Sequence, residues 1–388
     1  MTVYLEAACD AARWVSAADV DGPYLYSGAS GIVIFHLELY EATGDPAFRD
    51  AADAGGRRLL DALETIDAQS PCGLYDGAAG LAFAFGELAE RVDPEYRSAL
   101  ARVTGRLQSR ARRVGRGVLW NDSADVFGGT SGIGLLLLYA ARGLGDPALA
   151  DLAIDAGVGL VDGGHFRPAG MVNFSHGAAG VSYFLATLFR ETRDVRFKSA
   201  AVAGAERLLA MADTTDGGCV IRHHEPGPDE PPLYYLGWCH GPAGVARLFY
   251  RMAQIGGEAS WLDWVRRCAR SIVTRGVPEM QTPGLWNNAG QCCGLAGIAD
   301  FFFQLHAVSG DRSDRDFGER VARAVLARRD QVAGGLRWTH AEHRARPDDL
   351  EAQAGYMQGA AGIGAMLVHA DACARGRPLS IRFPDSPW

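Results

Sequence analysis

Long apolar runs recur seven times along the chain, and each follows a Gly-x-x-Gly pattern. The run from Gly132 to Leu138 is apolar at almost every position, which predicts a helix buried on all sides. A motif repeated 48 to 65 residues apart indicates one structural unit repeated with loops of variable length. The first glycines of the seven patterns are Gly28, Gly77, Gly129, Gly177, Gly241, Gly294 and Gly359.

Polar stretches rich in alanine and arginine lie between the apolar runs and carry apolar residues on one side only. This spacing predicts amphipathic helices that form an outer layer. Pairs such as Gly44-Asp45 and Gly310-Asp311 mark the boundary between an inner and an outer helix. The clearest predicted outer helices are Tyr96–Val114, Val195–Asp213, Trp261–Val277 and Arg312–Gln331.

Alternation of buried and amphipathic helices predicts an all-α fold, an α/α toroid with seven inner and seven outer helices. The Gly-x-x-Gly turns would then lie together at one end of the ring. The repeat continues from Tyr26 to about Ala370 without a linker, so we expect residues 1–388 to form a single domain. Strand signals are sparse, and Gly218–Arg222 is the best candidate for one arm of a short hairpin. The tail Arg375–Trp388, which contains three prolines, is expected to lie as an irregular strap over the outer surface.

The composition fits a soluble globular enzyme with an ample hydrophobic core. The 388 residues are 48% hydrophobic, and 46 acidic against 38 basic side chains give a net charge of −8. Mild acidity argues against nucleic-acid binding. The first fifteen residues include Glu6, Asp10 and Arg13, and no long uncharged apolar run occurs. We therefore expect no signal peptide, no membrane span and a cytoplasmic location.

Residues just before the first glycines should converge at the mouth of the ring, and three of them are cysteines. Cys239 and Cys292 hold the same position in adjacent repeats, and Cys293 follows directly. Three cysteines can supply three of the four positions around Zn²⁺ and leave the fourth open, as in catalytic zinc sites. His240 is an alternative ligand in place of Cys293. The other cysteines are expected to be buried thiols, namely Cys9, Cys72, Cys219, Cys268 and Cys373.

Two segments resemble the lanthionine cyclase (LanC-like) family. They are Gly237–Gly244, which reads G-W-C-H-G-P-A-G, and Gln291–Gly297, which reads Q-C-C-G-L-A-G. The resemblance implies a zinc ion held by Cys239, Cys292 and Cys293. Cys293 stands where many members carry histidine, so the pattern is similar to the three-cysteine branch of the family.

Two further motifs match the same family. Asn173–Gly180 reads N-F-S-H-G-A-A-G, and Asp125–Gly129 reads D-V-F-G-G. The resemblance implies that His176 is the general acid/base and Asp125 its electrostatic partner. His240 is a third catalytic candidate. Each residue also has a simpler interpretation, since a histidine at a helix start can satisfy a backbone group and an aspartate there is often only a cap.

One family position differs in this chain. Many bacterial members carry an arginine four residues before the first zinc cysteine, where this sequence has Tyr235, and Arg222 is a candidate replacement. The loops His223–Leu233 and Thr339–Gln353 interrupt the longest repeats and are expected to contact a peptide.

The resemblance implies zinc-dependent addition of peptide cysteine thiols to dehydroalanine or dehydrobutyrine, which forms (methyl)lanthionine rings. The partners would be a dehydrated precursor peptide and a separate dehydrating enzyme. One alternative is an enzyme that adds glutathione to dehydroamino acids. Another is a non-catalytic toroid whose zinc is closed by His240 and which only binds peptide. A glycosidase that uses Asp76 and Asp125 as paired acids is the weakest alternative.

Overall fold

The computed structural model describes residues 1–20, 22–67, 69–167, 170–224, 233–256, 259–279, 285–286 and 288–388. Within them the chain forms fourteen α-helices. In chain order these are α1 (Val3–Ala17), α2 (Ala29–Thr43), α3 (Pro46–Thr65), α4 (Ala78–Arg91), α5 (Tyr96–Arg110), α6 (Thr130–Leu144), α7 (Pro147–Asp162), α8 (Ala178–Thr192), α9 (Val195–Ala210), α10 (Pro242–Gly256), α11 (Ala259–Thr274), α12 (Leu295–Ser309), α13 (Arg312–Ala327) and α14 (Ala360–Ala374).

The even-numbered helices form the inner layer, and each begins at the residue directly after the first glycine of a Gly-x-x-Gly pattern. The odd-numbered helices form the outer layer, each packed against an inner helix. Helix α1 packs against α14 and so supplies the seventh outer helix, an assignment that the sequence pattern did not make. The predicted all-α toroid of seven inner and seven outer helices is confirmed. Among the described residues no helix has both the length and the apolar character needed to cross a bilayer.

A closed ring of backbone hydrogen bonds joins the seven turns. In each repeat, the N–H of the residue two positions before the first glycine donates to the carbonyl oxygen of the equivalent residue in the next repeat. The N···O distances are 2.8 to 3.1 Å, and the seventh bond returns to the first repeat. This ring fixes how the seven turns sit relative to one another, and with them the residues next along the chain. Its members are Tyr26, Tyr75, Phe127, Ser175, Cys239, Cys292 and Met357.

The second glycine of each pattern is required by a close approach of the backbone. A Cβ at Gly244 would overlap the carbonyl oxygen of Trp238, and a Cβ at Gly180 would overlap that of Phe174. Each inner helix therefore begins by packing its first turn directly against the turn that precedes it.

The predicted boundaries between inner and outer helices are also confirmed. Gly44 and Gly310 end α2 and α12 in the left-handed conformation, with φ of 70° and 71°. Asp45 and Asp311 then cap α3 and α13 by accepting a hydrogen bond from a backbone N–H two residues later.

Short strand pairs lie in the loops, and all four of the clearest predicted outer helices end three or four residues earlier than expected. Residues 112–114 and 330–332 are strands rather than helix, because the glycines at 115, 334 and 335 allow tight hairpin turns. The predicted hairpin arm at 218–222 is confirmed, because Val220–Ile221 pairs antiparallel with Ala212–Asp213. The strands are β1 (Arg112–Val114), β2 (Gly117–Leu119), β3 (Ala212–Asp213), β4 (Val220–Ile221), β5 (Tyr234–Tyr235), β6 (Leu285–Trp286), β7 (Asp330–Val332), β8 (Gly335–Arg337), β9 (His340–Ala341) and β10 (Leu350–Glu351). They pair as β1–β2, β3–β4, β7–β8 and β9–β10, all antiparallel, and β5–β6, which is parallel.

The prediction that the C-terminal tail straps the outer surface is wrong. Asp385 is fully buried and accepts hydrogen bonds from Trp238 Nε1 at 3.2 Å and from Arg247 at 3.0 Å. The ring of Phe383 lies 5.0 Å from that of Phe83 on inner helix α4. The tail carries apolar side chains between its prolines, and these fill the space between the inner helices. It therefore supports Trp238, the residue directly before Cys239.

Buried His36 on α2 leads to a prediction about acid stability. Burial, and secondarily the charge of Arg58, lower its pKa from 6.5 to about 4. The unfolded chain then binds the proton more readily, so stability falls as the pH drops from 6.5 to 4, by about 3 kcal/mol. Between pH 7 and pH 4, the free energy of unfolding of His36→Leu should fall by about 3 kcal/mol less than that of wild type. Urea unfolding at each pH measures this difference. The same pH dependence in both proteins would contradict this assignment.

Candidate metal centre and active site

Three cysteines from two adjacent repeats meet at the mouth of the ring. The N–H of Cys239 donates to the carbonyl oxygen of Cys292 at 3.1 Å, so the backbone ring holds the two repeats in register. The sulfur of Cys293 lies 3.2 Å from that of Cys239 and 3.6 Å from that of Cys292. Among the described residues, these three form the one group of three or more His, Cys, Asp or Glu side chains that could hold a metal ion, and their ligand atoms all lie within 4.8 Å of one another.

The cluster fits a tetrahedral zinc ion. A Zn–S bond of about 2.3 Å places tetrahedral sulfurs about 3.8 Å apart. The distances of 3.2 and 3.6 Å are shorter than this by about 0.6 and 0.2 Å, so small side-chain shifts would bring the sulfurs to the zinc spacing. Thiolates are soft ligands that suit zinc. Cys239 and Cys292 are buried and Cys293 is partly exposed, so the open side of the cluster faces the mouth. Contacts with the Cys239 and Cys292 thiols hold the pKa of Cys293 well below its usual value.

His176 and Asp125 form a hydrogen-bonded pair at the same mouth. His176 occupies in the fourth repeat the position that Cys293 occupies in the sixth. Its Nδ1 lies 3.0 Å from Asp125 Oδ2. Because a carboxylate oxygen only accepts hydrogen bonds, Nδ1 of His176 carries the proton. Its Nε2 is then free to accept a hydrogen bond from a substrate. The His176 side chain is 32% exposed, so a substrate can reach it.

Asp125 has two structural tasks at once. Its Oδ1 accepts the backbone N–H groups of Gly128 and Gly129, each at 2.8 Å, while its Oδ2 faces His176. Asp125 therefore acts both as a cap and as the electrostatic partner of His176. The sequence had left these two interpretations open. With both oxygens engaged, Asp125 is poorly suited to act as one of two paired acids with Asp76.

His240 lies beside the cluster and is not one of the grouped ligands. Its ring centroid is 5.6 Å from that of His176 and 4.1 Å from that of His223. Burial lowers the pKa of His240 to about 2, so the ring is neutral, and its Nδ1 has no hydrogen-bond partner among the described residues. This arrangement does not favour the alternative in which His240 replaces Cys293 as a ligand.

The loops around the mouth differ in part from expectation. Arg344, in the predicted loop Thr339–Gln353, lies near Tyr235 and partly offsets the rise that burial causes in the pKa of that phenol. The candidate replacement Arg222 contributes its backbone carbonyl, which accepts a hydrogen bond from Asn173 at 2.7 Å. The described contacts thus place Arg344, not Arg222, at the Tyr235 position. Most of the predicted loop His223–Leu233 lies outside the described residues.

Two residues of the mouth were missed by the sequence analysis. Gln358 and Tyr26 come from the seventh and first repeats, and Gln358 Nε2 lies 3.8 Å from the sulfur of Cys293 and 2.9 Å from the Tyr26 hydroxyl. A signal was present, because Gln358 holds the repeat position of Cys293 and Tyr26 holds that of Cys292. Glutamine and tyrosine are not metal ligands of choice, so their residue types alone did not point to the site.

Comparison with known proteins gives one family and several structures of the same architecture. The family model for lanthionine synthetase C-like proteins matches residues 19–372. The structure of nisin cyclase is similar with a TM-score of 0.70 and 15% identity, covering 95% of this chain and 93% of that one. No curated protein sequence matches the chain.

Sugar-active enzymes share the architecture less closely. An unsaturated glucuronyl hydrolase specific for heparin gives a TM-score of 0.52 at 12% identity, covering 97% of this chain and 98% of that one. Cellobiose 2-epimerase from Spirochaeta thermophila gives 0.51 at 15% identity, covering 80% and 88%. At these identities the likenesses establish the fold alone.

Proposed function

Because the chain belongs to the lanthionine synthetase C-like family, we propose that it is a zinc-dependent lanthipeptide cyclase. It would add cysteine thiols of a dehydrated precursor peptide to dehydroalanine or dehydrobutyrine residues of the same peptide. The observation that carries this proposal is the group of three cysteine sulfurs within 4.8 Å of one another, at the mouth that also holds the His176–Asp125 pair. Residues 1–388 would act as one cytoplasmic cyclase domain, and a separate enzyme would dehydrate the peptide.

Cys239, Cys292 and Cys293 would hold the zinc ion and leave one position open toward the mouth. Zinc in such a site keeps a substrate thiol deprotonated near neutral pH, where free cysteine is almost entirely protonated. The residues of the chain then supply position and proton transfer.

His176 would move the proton that the addition requires. Its Nε2 accepts the proton of the incoming thiol, and the sulfur then forms a bond to the β-carbon of the dehydroamino acid. The π electrons of the double bond pass to the α-carbon side as an enolate, and His176 returns the proton to the α-carbon. Thiol and alkene together become a thioether, so the reaction needs no further reactant. Asp125 holds the imidazole in the required tautomer.

Two other functions make different predictions for the same site. An enzyme that adds glutathione would use the same thiol chemistry with an external thiol. A toroid that only binds peptide would need a closed four-ligand zinc, and the His240 ring is not grouped with the three sulfurs. The hydrolase and epimerase likenesses do not favour sugar chemistry here, because both Asp125 oxygens are engaged.

A competition assay distinguishes these functions. A peptide with one cysteine and one dehydroalanine is incubated with the purified protein and glutathione, then treated with a thiol-capping reagent and weighed by mass spectrometry. We expect a peptide of unchanged mass whose cysteine no longer reacts with the capping reagent. This result shows that an intramolecular thioether has formed. Addition of one glutathione would instead identify the thiol-adding enzyme. The same peptide without protein controls for spontaneous addition.

A further inference from the structure

Two polar side chains close the side of the cysteine cluster that faces the seventh and first repeats. The backbone ring runs from Cys292 to Met357 and from Met357 to Tyr26, with N···O distances of 2.8 and 2.9 Å. It therefore places Gln358 and Tyr26 next to the cysteines. Gln358 is 2% exposed, and its Nε2 lies 3.8 Å from the sulfur of Cys293, within range of an N–H···S hydrogen bond.

The orientation of the Gln358 amide is fixed by a chain of hydrogen bonds. The backbone N–H of Gly290 can only donate, so the Asn288 atom 2.9 Å away is the oxygen Oδ1. Asn288 Nδ2 therefore points at Gln358 Oε1, 2.9 Å away. This leaves the two N–H bonds of Gln358 Nε2 for the Tyr26 hydroxyl and the Cys293 sulfur.

The Tyr26 hydroxyl is in turn directed toward the cluster. Its oxygen accepts from Gln358, so its proton points elsewhere, toward the Cys292 sulfur or Glu342 Oε1 at 3.5 Å. A tyrosine hydroxyl carries its proton at neutral pH, so Tyr26 remains a donor.

We propose that Gln358 and Tyr26 are positioning residues that donate hydrogen bonds to the sulfurs of Cys293 and Cys292 when these bind metal as thiolates. Three thiolates around Zn²⁺ carry a net charge of −1, and a substrate thiolate makes it −2. Negative charge in a buried site is costly unless donors compensate it, and hydrogen bonds to charged acceptors are the stronger kind. This assignment rests on the proposed function in requiring a metal at the three cysteines.

The test uses Co²⁺ in place of zinc, because its sulfur-to-metal absorption reports the thiolates directly. Wild type is compared with Gln358→Leu and with Tyr26→Phe, which removes only a hydroxyl. Loss of a hydrogen bond raises the energy of the sulfur lone pairs, so we expect the charge-transfer band to keep its intensity and move to lower energy. Zinc affinity, measured by competition with a chromophoric chelator, should fall about 10- to 100-fold.

Matched controls separate this effect from general disturbance of the turns. Gln353→Leu changes a glutamine of the same turn whose amide donates to Glu342 at 2.8 Å. Tyr75→Phe changes the tyrosine at the equivalent position of the second repeat, whose buried phenol lies near the carboxylate of Asp385. Both controls should keep the wild-type band and affinity.

The possible failures are distinguishable. If wild type showed no Co²⁺–thiolate band, both the proposed function and this assignment would be overturned. A normal wild-type band that neither Gln358→Leu nor Tyr26→Phe shifts, with unchanged zinc affinity, would overturn this assignment alone. A shift in Tyr26→Phe supports the assignment even if Gln358→Leu does not fold.

Discussion

Replacing Cys292 with serine is expected to remove bound zinc and cyclisation together. The three sulfurs lie within 4.8 Å of one another, so each would be one ligand of the same ion. Loss of a residue that only hydrogen-bonds to a metal ligand typically lowers metal affinity about 10- to 100-fold. Loss of a ligand itself should lower it by more than about 100-fold. Cyclisation should fall by at least the same factor, because substrate thiol activation depends on the metal.

Metal content by elemental mass spectrometry and cyclisation rate on the same sample measure this prediction. Cys9→Ser is the matched control, because Cys9 lies on outer helix α1 and outside the cluster. It should keep one zinc per chain and full activity. A Cys292→Ser protein that is free of zinc yet turns over at the wild-type rate would rule out the metal-dependent mechanism.

Replacing His176 with alanine is expected to leave zinc in place and to lower turnover by about 100- to 10,000-fold. His176 does not belong to the three-cysteine cluster, so the metal should remain. The loss reflects removal of a positioned proton donor and acceptor, for which this range is typical. Zinc content and the rate of ring formation, measured side by side, test both halves of the prediction.

The substitution Asp125→Asn tests separately whether Asp125 orients the imidazole of His176. An asparagine oxygen can still accept the N–H groups of Gly128 and Gly129, but its amide nitrogen cannot accept from His176 Nδ1. We expect normal zinc content and a rate at least about 100-fold lower, as for other misoriented catalytic histidines. His306→Ala, at the end of inner helix α12, should match wild type in both measurements. Loss of zinc from His176→Ala would show that this histidine is a ligand and not a proton carrier.

The sequence predicted the toroid and the meeting of the three cysteines because the repeat converts position along the chain into position in space. Residues with the same offset from a Gly-x-x-Gly pattern lie in one ring, so Cys239 and Cys292 could be placed together across 53 residues. His176 follows by the same argument. The backbone hydrogen bonds between equivalent residues supply the physical reason.

Other features could not be predicted because they depend on contacts between distant segments. Asp385 in the C-terminal tail is buried and accepts hydrogen bonds from Trp238 and Arg247. The proline-rich tail has no periodic pattern of apolar residues that would predict its position between the inner helices. Gln358 matters through the orientation of its amide, which depends on Asn288 seventy residues away. The ends of outer helices α5 and α13 were missed because glycines just beyond them form hairpin turns.

The most direct test of the central claim is ring formation by one protein sample in three metal states. A leader-bearing precursor peptide, already dehydrated, is incubated with the protein as purified, after chelation, and after zinc is restored. Tandem mass spectrometry then locates thioether rings by the lack of fragmentation between the linked residues. We predict rings with the first and third samples and only the no-enzyme background with the second. Background levels with all three samples, although the first and third hold one zinc per chain, would contradict the cyclase assignment.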